Sequence, residues 1–132
     1  MDRTHELGTV GTSSLVFVNR TIEHAEAVSA AVGGTSVLPL HPDTLRDLEV
    51  SADLLINTLP PEADKLLAGM DLEPLASHAV VADLNYYIES PILLRRAAAM
   101  GLATVHGRGM FLWQAAISFH AWTGEEPDLD LG

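Results

Sequence analysis

Short apolar runs recur along this chain and are separated by segments with helical spacing or turn residues. Five of these runs are rich in Val, Ile, Leu and Ala and predict strands at residues 15–18, 36–40, 54–57, 79–84 and 103–106. Strands that alternate with helices at this spacing are typical of parallel β-α-β units. The pattern therefore predicts an α/β fold, a Rossmann-like parallel sheet flanked by helices.

The segments between the runs carry helix signals. Ile22, Ala25, Val28 and Val32 share one helical face, and glycines at 33 and 34 stop that helix. Residues 41–48 predict a short helix or turn, and residues 63–68 a brief helix. Ser90 as N-cap and Pro91 in the first helical position predict a longer helix that ends before Gly101.

Residues 107–124 are the most distinctive stretch, with two glycines around Arg108 followed by an uncharged apolar segment. They predict a glycine-rich turn that leads into a helix apolar on nearly all sides, which should be buried. One sparsely polar stripe, which includes Gln114 and Ser118, could face a ligand cleft. The plain alternative is a core helix whose Gln114 bonds a neighbouring loop.

Composition excludes several classes of protein. The length of 132 residues and the 48% apolar content suit one globular domain, and no apolar run approaches the ~20 residues of a membrane span. The absence of a signal peptide and of cysteine favours the cytoplasm. No two histidines have the i, i+4 spacing of a helical metal site, so we expect no metal. A net charge of −11 argues against nucleic acid as a partner.

Polar residues follow four of the five predicted strands, where a doubly wound sheet binds its ligands. These clusters are Asn19-Arg20-Thr21, Asn57-Thr58, Asn85-Tyr86 and Gly107-Arg108-Gly109. In a dinucleotide fold, an acid in the first of these places would bind the ribose 2′-hydroxyl of NAD. Arg20 instead suits a 2′-phosphate, to which Thr21 could add a hydrogen bond. The alternatives are a helix N-cap for Thr21 and a solvated charge for Arg20.

The last segment resembles the end of the shikimate dehydrogenases, in which a Gly-x-Gly-Met turn enters a helix that carries a glutamine and closes on Trp-x-Gly. The matching residues are Gly107, Gly109, Met110, Gln114, Trp122 and Gly124. The resemblance implies that the turn lies beside the nicotinamide of NADP and that Gln114 reaches the substrate, shikimate.

Two further segments support this resemblance. Asn19, Arg20 and Thr21 match the element that follows a strand in the NADP-dependent members, which implies cofactor binding by all three. Asp83-Leu84-Asn85-Tyr86 is similar to the family's Asp-x-x-Tyr, which implies that Tyr86 borders the substrate and nicotinamide, although Tyr87 leaves the register open by one. Asn57 and Thr58 are a weaker match to a cofactor-binding loop, because Leu59-Pro60-Pro61 follows them.

The resemblance covers residues 14–126, the cofactor half of the family. We expect a leader without a clear motif at residues 1–13, an NADP-binding domain at 14–124 that lacks the family's first strand and glycine-rich turn, and an acidic tail at 125–132. The place of that strand could be closed by pairing of 15–18 with 54–57, by residues 7–10, or by a partner chain.

The half to which the family assigns its catalytic lysine and aspartate has no counterpart here, so no catalytic residue is assigned. His106 is the only local substitute for a base, and a histidine that ends a strand is more often structural. The expected function is the cofactor half of an NADP-dependent shikimate dehydrogenase, inactive as a lone chain. The alternatives are a non-catalytic binding or dimerisation module, or a subunit completed by a partner chain. Homo-oligomerisation or a partner chain is expected in each case.

Overall fold

A computed structural model describes residues 11–129 of the chain. The described residues divide into two compact units, with the boundary between Glu49 and Val50. Within the described residues, the strands form one two-stranded and one three-stranded sheet, both parallel. The expected α/β, Rossmann-like fold with helix-flanked parallel strands is confirmed.

The first unit is a β-α-β arrangement. Strand β1 (Val16–Asn19) is followed by helix α1 (Ile22–Val32) and strand β2 (Ser36–Pro39), which pairs with β1 from Val16↔Ser36 to Asn19↔Pro39. A 3₁₀ turn, Thr44–Asp47, follows. Helix α1 ends at Gly33, whose φ of 75° is the left-handed conformation that favours glycine.

The second unit contains strands β3 (Leu54–Asn57), β4 (Val80–Asp83) and β5 (Ala103–His106), hydrogen-bonded in that order. A 3₁₀ turn, Pro61–Ala63, leads into helix α2 (Asp64–Gly69), and helix α3 (Ile92–Ala99) connects β4 to β5. Helix α4 (Gly107–Thr123) starts directly after β5. The buried apolar residues of this unit include Leu67, Leu72, Val81, Leu93, Leu94 and Ala97.

Two local expectations are corrected. Helix α3 begins at Ile92 with Pro91 in the cap position, so the helix starts one residue later than Ser90 and Pro91 predict. The residues around Arg108 are the first turn of α4 and not a separate glycine-rich turn, because His106 already occupies the cap position.

The predicted burial of α4 is wrong. Only Gly107 and Ala116 of this helix are buried, whereas Trp113, Ile117 and Trp122 are 57%, 69% and 84% exposed. An apolar sequence buries a helix only where other elements pack around it, and the described residues leave most of this helix uncovered.

The sequence predicts three ways to fill the place of the family's first strand. Strands β1 and β3 belong to different units, so their direct closure stays a prediction. Residues 7–10 lie outside the described part of the chain. The partner chain remains a prediction. Within residues 11–129, no helix is long and apolar enough to span a membrane.

Candidate functional site

Four of the five strands end in the same local hydrogen bond, in which the last side chain accepts the backbone N–H two residues further on. The acceptor–donor pairs are Asn19 Oδ1 with Thr21 N at 3.0 Å, Asn57 Oδ1 with Leu59 N at 3.0 Å, Asp83 Oδ1 with Asn85 N at 2.9 Å and His106 Nδ1 with Arg108 N at 3.0 Å. Short polar side chains make such bonds readily, and these bonds compete with continued strand. We call them the strand-end bonds. Each one turns the chain at the carboxyl edge, where the candidate clusters lie.

In the second unit, a buried carboxylate connects the ends of two neighbouring strands, β3 and β4. Asp83 is only 1% exposed, and it accepts hydrogen bonds from Asn57 Nδ2, Asn85 N and Asn85 Nδ2, each at 2.9 Å. Asn85 Nδ2 also donates to the Leu59 carbonyl at 3.0 Å. Three N–H donors compensate the desolvation of the carboxylate. The loops after β3 and β4 are therefore held in one arrangement.

Asn57 was predicted to bind the cofactor, and its side chain is engaged at both ends. Its Nδ2 donates to Asp83, its Oδ1 accepts from Leu59 N, and the residue is 5% exposed. These bonds give Asn57 a role in shaping the loop, and its cofactor contact stays a prediction. Thr58 is exposed beside it.

His106 uses both ring nitrogens. Nδ1 accepts the Arg108 N–H, and Nε2 lies 2.7 Å from the Ile88 carbonyl oxygen. Because a carbonyl can only accept and Nδ1 must offer a lone pair, the ring is assigned as neutral with its proton on Nε2. A ring held in this way has no free nitrogen to act as a base. The geometry favours the structural alternative.

Gly107 is the point at which α4 meets the end of β4. A Cβ at this position would lie 2.6 Å from the Leu84 carbonyl oxygen and 2.9 Å from that of Asp83. These are backbone atoms that cannot rotate away, so the approach requires glycine. At Gly109 a Cβ would meet nothing within 4 Å. Of the two glycines that flank Arg108, the first therefore has a steric role.

Tyr86 lies against the first turn of α4. Its ring stacks on Phe111 with centroids 4.1 Å apart and planes 10° apart, and Tyr87 meets Tyr86 edge-on at 5.1 Å. Tyr86 remains 43% exposed. The structure thus brings Tyr86 to the turn that carries Gly107, Gly109 and Met110. Gln114 lies one turn further along α4 and is exposed. Its backbone carbonyl oxygen accepts a hydrogen bond from the Ser118 hydroxyl at 3.0 Å.

In the first unit, Asn19, Arg20 and Thr21 occupy the end of β1. Thr21 is the cap residue of α1, as the alternative interpretation predicts, but its side chain makes no capping bond. Within the described residues, neither the Thr21 hydroxyl nor the Arg20 guanidinium has a hydrogen-bond or ion-pair partner, and both residues are exposed. Both groups are available to a ligand.

Sequence reasoning noticed Asp83 and Asn85 only as parts of a motif and missed their joint role. The signal that could have revealed it is Asp-x-Asn directly after a buried strand, a pattern typical of an Asx turn. The bond from Asp83 to Asn57 joins residues 26 apart and depends on strand register.

The chain is similar to proteins of one family. Residues 107–131 match the model of the shikimate 5'-dehydrogenase C-terminal domain. A shikimate dehydrogenase (NADP(+)) from Rhizobium rhizogenes is 38% identical over 122 residues, which are 91% of this chain and 42% of that protein. The chain therefore spans less than half the length of this relative.

Solved structures agree with the sequence comparison. Shikimate 5-dehydrogenase from Thermus thermophilus, in complex with NADP(H) and shikimate, has a TM-score of 0.72 and 30% identity over 92% of this chain and 44% of its own. Quinate dehydrogenase from Corynebacterium glutamicum, in complex with NAD, has a TM-score of 0.70 and 28% identity over 95% of this chain and 46% of its own.

Proposed function

Because this chain matches the C-terminal half of the shikimate dehydrogenases over most of its length, we propose that it is the NADP-binding half of such an enzyme. The reaction would be hydride transfer between NADP(H) and the 3-dehydroshikimate/shikimate pair. The observation that carries the proposal is the contact of Gly107 with the end of β4, which sets the first turn of α4 beside Tyr86. A cytoplasmic location goes with this assignment.

Arg20 and Thr21 fit the phosphate that distinguishes NADP from NAD. The guanidinium presents a planar fork of donors, and the unused Thr21 hydroxyl lies one residue away. The Asn19 strand-end bond fixes the backbone that presents both groups. No acidic side chain stands at residues 19–21 to favour an unmodified ribose. We assign the 2′-phosphate to these two residues, with Asn19 in support.

The second unit fits the reacting end. Gly107, Gly109 and Met110 present a compact helical turn, and Tyr86 stands beside it with part of its ring exposed. When bound, NADP(H) supplies or accepts the hydride. The chain's own residues position the reactants: the first turn of α4 would hold the nicotinamide, and Tyr86 and Gln114 would contact shikimate.

The described residues of this edge do not supply a base for the hydroxyl proton. Asp83 is buried under three hydrogen bonds, and both nitrogens of His106 are engaged. Proton transfer by a positioned side chain contributes ~100- to 10,000-fold, and orientation can contribute more. We therefore propose that these 132 residues alone are inactive and that the acid–base residues come from outside them.

Calorimetric titration with NADP and NAD tests the cofactor assignment. Wild type should prefer NADP, and Arg20→Ala should lower that preference roughly 10- to 150-fold, the equivalent of one charge-assisted hydrogen bond. Arg95→Ala, which removes another exposed arginine on α3, is the matched control and should change nothing. Equal affinity of wild type for the two nucleotides would remove the assignment.

A second candidate is a non-catalytic interaction module, and the exposure of Trp113 and Ile117, one helical turn apart on α4, favours it. Large contiguous apolar surfaces commonly mark interfaces. Sedimentation, nucleotide titration and an activity assay together separate the two candidates. Self-association without nucleotide binding supports the module, whereas nucleotide binding together with activity on adding the complementary half supports the enzyme.

A further inference from the structure

The loop that follows β4 is attached to the beginning of α4 at three points. The Leu84 carbonyl faces Gly107, the Tyr86 ring stacks on Phe111, and the Ile88 carbonyl accepts a hydrogen bond from His106. The first two contacts are steric or dispersive. The bond to His106 is the directional one, and it comes from the residue at which β5 ends and α4 begins.

The two bonds of His106 place different demands on its side chain. The bond to Arg108 N needs an acceptor close to the backbone, which an asparagine oxygen can also provide. The bond to Ile88 needs a donor at the far side of a ring, which a shorter side chain cannot reach. Only a neutral imidazole with its proton on Nε2 satisfies both bonds.

The position of His106 relative to the rest of the edge is set by the sheet. Its Cα pairs with that of Asp83, which pairs in turn with that of Asn57, so the three residues form a row across β5, β4 and β3. Asp83 and Asn57 are fixed by their mutual hydrogen bond. His106 therefore connects a fixed row of strand ends to the loop that carries Tyr86.

We propose that His106 is a positioning residue for Tyr86. Held as the Nε2–H tautomer, its ring ties the Tyr86-bearing loop to the first turn of α4 and so sets the distance between the tyrosine and that turn. This inference rests on the proposed function, in which Tyr86 contacts substrate and the turn holds the nicotinamide. His106 touches neither reactant and acts through Ile88 and Tyr86.

Nuclear magnetic resonance of the full chain tests the positioning without any ligand. In wild type, the His106 ring should show a bare Nδ1 and a protonated Nε2. Since the chain has only two tyrosines, Tyr86→Phe assigns the Tyr86 ring signals. His106→Asn should preserve helix α4 but shift the Tyr86 signals and speed amide exchange in residues 84–89. His106→Ala should do the same and also destabilise the first turn of α4.

His78→Asn is the matched control, because His78 bonds Asp53 at the opposite end of the same sheet. It should leave the Tyr86 signals where they are. A wild-type ring protonated on Nδ1 at neutral pH would overturn the inference, and so would unchanged Tyr86 signals in both His106 variants.

Titration with NADP+ and shikimate then separates this inference from the proposed function. We expect His106→Asn to weaken binding roughly 2- to 10-fold, the effect of one ordinary hydrogen bond. If wild type binds both and His106→Asn binds them equally well, the positioning role is refuted while the function stands. If wild type binds neither, the proposed function fails, and the Tyr86 signals alone decide whether His106 holds the loop.

Discussion

Replacing Gly107 by alanine should destabilise the second unit, because the new methyl group has nowhere to go. It would lie 2.6 Å from the Leu84 carbonyl oxygen, about 0.8 Å closer than the 3.4 Å at which ordinary van der Waals contact begins. The obstructing atoms belong to the backbone at the end of β4, whose hydrogen bonds to β3 and β5 resist displacement. Helix α4 must therefore move away from the sheet or β4 must distort.

The expected magnitude follows from two opposing effects. Overpacking of this kind costs about 1–3 kcal/mol, and alanine returns up to about 1 kcal/mol through its higher helix propensity. A net loss of about 1–2 kcal/mol corresponds to a melting temperature lower by roughly 4–8 °C in a protein of this size.

Gly109→Ala is the matched control. It lies in the same helical turn, where a methyl group would meet nothing within 4 Å, so only the propensity gain remains. The melting temperature of this variant should rise by roughly 2–4 °C, the equivalent of about 0.5–1 kcal/mol. The two substitutions are chemically identical and two residues apart, but their effects should have opposite signs.

Far-ultraviolet circular dichroism is a suitable assay, because it reports helix content and α4, with 17 residues, is the longest of the described helices. Thermal melts of wild type and the two variants should rank Gly109→Ala highest and Gly107→Ala lowest. A Gly107→Ala protein that melts at or above wild type would refute the close packing of α4 on β4.

Three further outcomes are expected. Asp83→Asn should lower the free energy of unfolding by about 1–3 kcal/mol in denaturant titrations, because one of the two carboxylate oxygens that accept three N–H donors becomes an NH₂ group. The control is Asp53→Asn, at an exposed pair with His78, which should change the free energy of unfolding by less than about 0.5 kcal/mol. Arg96→Met should lower the free energy of unfolding by about 1–2 kcal/mol in the same titration, because it keeps the apolar stem but loses the 2.6 Å hydrogen bond to the Leu67 carbonyl oxygen. An unchanged free energy of unfolding would mean that water replaces this bond. Replacing Trp113 and Ile117 together by glutamine should leave the melting temperature within about 2 °C, because both side chains are exposed, and should reduce self-association in sedimentation. A large drop in melting temperature would show that these two side chains are packed in the folded protein.

The strands could be predicted from sequence because they are short runs rich in Val, Ile, Leu and Ala, and four of the five described strands end in a polar residue. Residues 54–57 match β3 at both ends, and residues 103–106 match β5. The predicted run 79–84 is one residue too long on each side, because Ala79 and Leu84 are apolar but lie outside the paired residues Val80–Asp83 of β4. Local composition thus locates a strand well and its last residue less well.

The environment of α4 could not be predicted in the same way. An apolar helical pattern indicates that a helix forms, but its burial depends on which other elements reach it. Leu112 is half-buried, whereas Trp113 beside it is 57% exposed. This difference arises from tertiary packing and has no signature in the spacing of residues 107–124.

The contacts among the candidate site residues could not be predicted from local sequence. Tyr86 and the first turn of α4 come together as the resemblance implies, and the sequence pattern placed both after strands. The stack of Tyr86 on Phe111 and the bond of His106 to Ile88 join residues 18 or more apart, so no local pattern contains them. Their prediction requires the register of β4 and β5.

The strand-end bonds have a consequence for how the chain folds. Parallel strands pair only after a long loop has closed: Asn57 and Asp83 are 26 residues apart, and the entropy of that closure slows the search for the correct pairing. A bond between residues two apart closes almost no loop, so it can form in the unfolded chain and mark where each future strand stops. Asn57, Asp83 and His106 would then be the last residues of their strands before the strands pair. A register shift of one residue would separate Asn57 from Asp83, and the buried carboxylate would lose one hydrogen-bond donor. The side chains that shape the edge of the folded protein would in this way also disfavour misaligned pairings while it folds.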